Sequence, residues 1–135
     1  LSLGDIGLVT QQNACCGSVV PSKVYGILAA GRPVLFIGPA EATPALIIDR
    51  FECGWQVDCG DAAGLARLLR ELAAKPGEVQ AAGQRARKAL LAHFDLSIGV
   101  QRIARILEYS PTDVIAHHRV EPVSEASGAE QRRAA

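Results

Sequence analysis

The residue types with most chemical promise lie in one run, Gly17-Ser18-Val19-Val20-Pro21-Ser22-Lys23. Small residues let the backbone approach a ligand closely. A hydroxyl at Ser22 and an ammonium at Lys23 follow where a helix is expected to start. A loop feeding a helix N-terminus suits an anion, because unpaired N–H groups and the helix dipole both face it. The N–H groups of residues 22 to 24 are the expected donors, with Lys23 adding charge at the first turn.

The elements that must position this run follow from periodicity. Asp5 to Thr10 reads as a short strand, apolar and β-branched towards its end. Residues 11 to 17 are polar and small, hence loop. In the first helix Val24, Ile27, Leu28 and Gly31 form one stripe, with Gly31 as its stop and Pro33 preventing continuation. Val34 to Ile37 is apolar on both faces, as in a central parallel strand. Thr43-Pro44 is expected to cap and open a helix through about Phe51, ended by Cys53-Gly54. Trp55 to Cys59 is the third expected strand. Asp61 should cap a helix carrying Leu65, Leu68, Leu69 and Leu72. Beyond Pro76-Gly77, a helix over 78–93 turns Val79, Ala82, Ala86, Ala89 and Leu90 inward and Arg85, Arg87 and Lys88 outward. Asp95 or Ser97 caps a last helix with Val100, Ile103, Ala104 and Leu107 as its stripe. Residues 110–135 are polar, small and aperiodic, and read as a disordered tail.

The order β-α-β-α-β-α followed by helices argues for an α/β fold, a Rossmann-like parallel sheet flanked by helices. Ligands in such sheets bind beyond the carboxyl ends of the strands. The loops after Thr10, Ile37 and Cys59 are therefore expected to converge on one site.

Composition narrows the function classes. The chain has 135 residues, with fourteen basic and fourteen acidic side chains and six aromatics. Neutrality and few aromatics argue against nucleic acid or an anionic membrane as partner. No run reaches the length of a membrane span, since Val24 to Ile37 is interrupted by Arg32-Pro33, and no signal peptide is visible. The cytoplasm, or the inner face of the membrane as a peripheral protein, is the expected location. The chain begins at Leu1 and holds no Met, so it is expected to be a piece of a longer protein. Cys15, Cys16, Cys53 and Cys59 lack metal spacing and read as small hydrophobes in a reducing compartment; no metal and no cofactor is expected.

Three segments carry a resemblance. PSKVYGILAAGRPV, CGWQVDCGDAAGLA and RARKALLAHFDLSIGV, in this order, resemble family 4-type (group 1) retaining glycosyltransferases, and more narrowly those of bacterial surface-polysaccharide synthesis. The resemblance covers residues 5 to 109. It implies a GT-B architecture, with residues 1–109 as the C-terminal part of the donor-binding domain and the N-terminal domain absent. It implies transfer of a sugar from a nucleotide-diphosphate donor to a saccharide or lipid-linked acceptor. The donor diphosphate would meet Gly17, Ser18, Val19, Val20 and Ser22, with Lys23 stabilising the charge that builds on it. Members of the family carry two glutamates across this loop and helix, one facing the sugar and one the ribose. Here those positions are Ser18 and Gly26. A nucleotide-sugar epimerase of the same fold and a degenerate, non-catalytic binding domain are the alternatives; the first would keep acidic and histidine side chains at the cleft.

Several residues keep two readings. Lys23 is a phosphate contact or a solvated lysine, Ser22 a contact or a plain N-cap, and Tyr25 a base platform or a half-buried core residue. Glu41 to Thr43 reads as a sugar contact or a simple loop, and Asp61 as a cap. Asp58 lies at the third strand's end, His93 ends a helix, and His117-His118 falls in the tail.

Overall fold

The computed structural model describes residues 4–107. The expected tail over 110–135, with His117 and His118, lies outside the described residues. The chain divides into two units between Ile98 and Gly99.

The first unit contains β1 (Gly7–Thr10), a 3-10 turn (Asn13–Cys15), α1 (Lys23–Ala29), β2 (Val34–Ile37), α2 (Thr43–Phe51), β3 (Gly54–Val57), α3 (Ala62–Ala73) and α4 (Pro76–Ala89). A π-helical turn (Leu90–Phe94) follows α4. The strands form a parallel three-stranded sheet in the order β1-β2-β3. This is the Rossmann-like α/β arrangement read from the alternation of elements. Because the order steps one way, right-handed crossovers place α1 and α2 on the same face. Strand alternation sends Val9, Val34 and Phe36 to that face, where they cluster with Val24, Ile27, Leu28, Ile47, Ile48 and Ala86 of α1, α2 and α4. Val24, Leu28, Val34 and Phe36 are fully buried, each stabilising the fold by about 1.5–3 kcal/mol.

Gly31 ends α1 as expected. It sits at φ +66°, with its N–H on Leu28 O at 3.0 Å and that of Arg32 on Ile27 O at 3.2 Å. This is the paired bonding of a Schellman turn. Asp61 also behaves as expected: the Gly64 N–H donates to its carboxylate at 2.8 Å.

Other boundaries differ from the sequence reading, each for a local reason. The first helical bonds of α1 start at Pro21, with Val24 N–H on Pro21 O at 3.3 Å and Tyr25 N–H on Ser22 O at 3.1 Å. Ser22 is therefore already helical and its hydroxyl caps nothing. Thr43 is not the cap of α2 either. Ala42, itself buried, takes that position and leaves Thr43 inside the first turn. The end of α2 falls on Glu52, a non-glycine residue at φ +49°, rather than on Cys53-Gly54. Its carbonyl accepts from Arg85 Nε at 2.7 Å, which holds the left-handed turn in place. The third strand starts at Gly54 and not Trp55. Gly54 pairs with Val34, and a Cβ there would lie 1.9 Å from the Val34 carbonyl oxygen, so only glycine fits. Cys59 accordingly leaves the strand for a turn.

The inward face of α4 holds as read, with Ala82, Ala86 and Ala89 buried. Its outward arginines act as caps: Arg85 meets Glu52, and Arg87 Nη1 donates to Ala29 O at 2.7 Å at the end of α1. The leucine stripe of α3 is only partly covered; Leu72 is buried while Leu69 is 43% exposed. In α5 (Leu96–Ile106) the Ser97 N–H donates to Asp95 at 2.9 Å and the Ser97 hydroxyl at 2.6 Å. Those two bonds hold the Asp95 carboxyl below its usual range. The expected α5 stripe is not continuous, since Ala104 is buried but Ile103 and Leu107 are exposed.

Gly83 and Gly99 make a matched test. Replacing a helical glycine by alanine ordinarily stabilises by about 0.5–1 kcal/mol. At Gly83 a Cβ would lie 2.4 Å from Gly31 O, a backbone atom, and overpacking of this kind costs about 1–3 kcal/mol. At Gly99 nothing lies within 4 Å. Gly83→Ala is therefore expected to lower the urea midpoint and Gly99→Ala to raise it.

Candidate functional site

The carboxyl ends of the three strands meet. Gln11 N–H donates to Ile37 O at 2.9 Å, and Gly38 N–H to Val57 O at 3.0 Å. Gln56 Nε2 reaches across to Gly38 O at 2.8 Å and to Asp58 Oδ1 at 2.8 Å. Cys59 Sγ donates to Gln11 O at 3.3 Å. A Cβ on Gly38 would come within 2.9 Å of Gln11 O, so the first two loops touch at their bases. The expected convergence of loops is present, and the starts of α1, α2 and α3 share this end of the sheet.

Gly17, Ser18, Val19, Val20, Ser22 and Lys23 are exposed. Gly17 takes φ +80°, a left-handed conformation that favours glycine, although a Cβ there would meet nothing within 4 Å. Of the expected N–H donors at residues 22 to 24, that of Val24 is spent on Pro21 O at 3.3 Å, and in the preceding loop the Ser18 and Val19 N–H groups turn inward to Cys15 O at 3.3 and 3.2 Å. With Ser22 drawn into the helical turn, Lys23 is the exposed charge at the start of α1. Gly26 is half-buried within α1, and no carboxylate stands at either Ser18 or Gly26.

Tyr25 resolves towards the core. It is half-buried, its ring 5.4 Å from that of Phe94. His93 packs its ring 4.9 Å from Phe51 within the π-helical turn, where the sequence reading had a continued α-helix. Glu41 is exposed beside buried Ala42.

One residue of the site escaped the sequence reading. Gln11 is only 8% exposed. Its Nε2 donates to Cys15 O at 2.9 Å and to Val19 O at 3.0 Å, tying the loop down to the end of β1. The available signal was position alone, a polar residue immediately after a strand aimed at the site.

At the opposite, amino end of the sheet a cleft of about 730 Å³ is lined by Ile6, Ala30, Pro33, Leu69, Leu72 and Val79, among others. The Asp5–Arg32 ion pair, at 3.9 Å, lies along it. None of the residues singled out for anion chemistry lines it.

The four cysteines are free thiols. Cys53 is fully buried, and burial pushes its thiol up to about 11 from 9.0. Cys59 is exposed.

Among known proteins the chain is similar to one named probable glycosyltransferase WbjE, from Pseudomonas aeruginosa. Identity is 38% over 72 residues, which is 53% of this chain and 18% of that protein. The chain thus spans less than a fifth of that relative's length by its matched part. No family model matches, and no solved structure matches.

The thiols give a direct check of the site's exposure. Iodoacetamide at mildly alkaline pH should label Cys59 and spare Cys53, read by peptide mass spectrometry. Between pH 9 and 11 the unfolded chain releases the Cys53 proton while the folded chain keeps it. The unfolded state then binds fewer protons, so stability should fall as pH rises through that window. Cys53→Ala should lessen this slope in denaturant titrations.

Proposed function

We propose that this chain forms part of the donor-binding region of a glycosyltransferase. The observation that carries the reading is the likeness to WbjE, which supports a glycosyltransferase at the level of class. The geometry agrees with it: three loops meet at the carboxyl end of a parallel sheet, where such folds take their ligands. The finer reading, from the resemblance, is a GT-B enzyme whose acceptor-binding domain lies outside this chain. The donor is a nucleotide-diphosphate sugar, the acceptor a saccharide or lipid-linked saccharide, and the setting the cytoplasm or the inner membrane face.

In this reading the donor diphosphate lies against Gly17 to Val20 and the start of α1. As the glycosidic bond to the diphosphate breaks, negative charge grows on the leaving oxygen. The Lys23 ammonium and the Ser22 hydroxyl stabilise that charge more than they stabilise the ground state. A short helix with two of its first N–H groups already spent contributes little dipole of its own, so Lys23 bears most of the electrostatic role. The absence of carboxylates at Ser18 and Gly26 favours a second reading, a binding domain without catalysis.

Titration of the full-length protein with UDP-, GDP- and ADP-sugars separates the two. At a hundred times its dissociation constant, a donor should stabilise the protein by about 2.7 kcal/mol, seen as a rise in Tm. No rise with any nucleotide would remove the donor site. Lys23→Ala should then lower kcat by about 10²-fold with Tm unchanged, the scale of losing one charge-stabilising group. Unchanged kcat would assign Lys23 to the solvated surface.

A further inference from the structure

We infer that Gln11 Oε1 is the acceptor for a ligand hydroxyl at the carboxyl end of the sheet; this rests on the donor-site reading above. The Gln11 amide has a fixed orientation. Its nitrogen sits 2.9 and 3.0 Å from the carbonyl oxygens of Cys15 and Val19, and a flipped amide would set an oxygen against both. The amide oxygen is therefore the atom left over. It is buried and has no hydrogen-bond partner, alone in this among the side-chain atoms of the described residues.

Such an atom is costly to keep, because a buried acceptor without a donor forfeits its hydration. The Cys59 thiol does not serve it, being engaged with the Gln11 backbone carbonyl. What completes it must bring an O–H or N–H. Diphosphate oxygens only accept, so the anionic part of a donor belongs at Lys23 and the hydroxyl-bearing part at Gln11. The lip over the amide is the loop it ties down, and Val19 in that lip is 55% exposed. A ribose or hexose hydroxyl would supply that donor, and both sources share the same chemistry.

The hydroxyl that meets Gln11 is identified by pairing one substitution with a ligand series. Gln11→Met removes the acceptor at similar size. Calorimetric titration of the full-length protein would use UDP, 2′-deoxy-UDP and UDP-glucose, with the GDP and GDP-mannose series in parallel. Gln11→Met should weaken binding of the hydroxyl-bearing ligand about tenfold, the scale of one lost hydrogen bond. A tenfold loss already present in wild type with 2′-deoxy-UDP marks the ribose as the source. Equal affinity of UDP and 2′-deoxy-UDP, with a Gln11→Met effect confined to UDP-glucose, marks the hexose.

If Gln11→Met weakens UDP, 2′-deoxy-UDP and UDP-glucose alike, Gln11 is a strut for the loop and the acceptor assignment falls. If Gln11→Met changes none of them, the assignment falls while the donor site stands. If wild type binds no probe, the donor reading falls and takes the assignment with it. A readout that needs no variant is the side-chain amide resonance of Gln11 in the labelled wild-type protein. It should shift with UDP-glucose and stay in place with inorganic pyrophosphate, and a shift with pyrophosphate alone would overturn the proposal.

Discussion

The close approach of α4 to the Gly31 turn is the constraint on which the first unit depends. Two glycines make it possible, one bending back at positive φ and one, Gly83, presenting bare backbone to its carbonyl. Once α4 lies at that distance, its outward arginines reach the ends of α1 and α2. Arg87 and Arg85 then supply donors to carbonyls left over at two helix C-termini, where positive charge is favoured by the dipole. The Arg85–Glu52 ion pair, 4.0 Å apart and solvent-exposed, adds little energy of its own. The value of the two arginines lies in geometry, since they fix where two helices stop and hence where the following strands begin.

From this follows the order at the opposite end of the sheet. With the amino ends of β2 and β3 set by those turns, the register fixes which residues emerge together at the carboxyl ends. Gln11 and Gly38 are held at the strand ends by backbone pairing, and the Cys59 thiol ties the third turn to the Gln11 carbonyl. The candidate site is thus built on strand ends, with the exposed Ser22 and Lys23 placed one loop further out.

How much of this was legible in the sequence depends on what encoded it. The stripe Val24-Ile27-Leu28, the apolar run Val34 to Ile37 and the cap at Asp61 are local patterns, and each appears in the structure as read. The convergence of three loops followed from topology. Caps at Ser22 and Thr43 were misread because tertiary burial chose the boundary: Ala42 is drawn into the core, and the chain at Pro21 has begun to turn. Glu52 in a left-handed conformation carries no sequence signature, for it is held by an arginine 33 positions away. Gln11 was illegible for a similar reason. Its role lies in which carbonyls it meets, and those are supplied by a loop whose path the sequence leaves open. The two absent carboxylates, at Ser18 and Gly26, were by contrast plain from residue types alone.

The one-way strand order has a consequence for handling the protein. Among the described residues β1 and β3 both pair on one side only, and Leu8 on β1 is 50% exposed. An unpaired, apolar strand edge is a template for any other extended chain, including another copy. Neither of these strands carries a proline or a lysine to discourage such pairing. In the first unit, two strand edges are therefore open to pairing with a further extended chain.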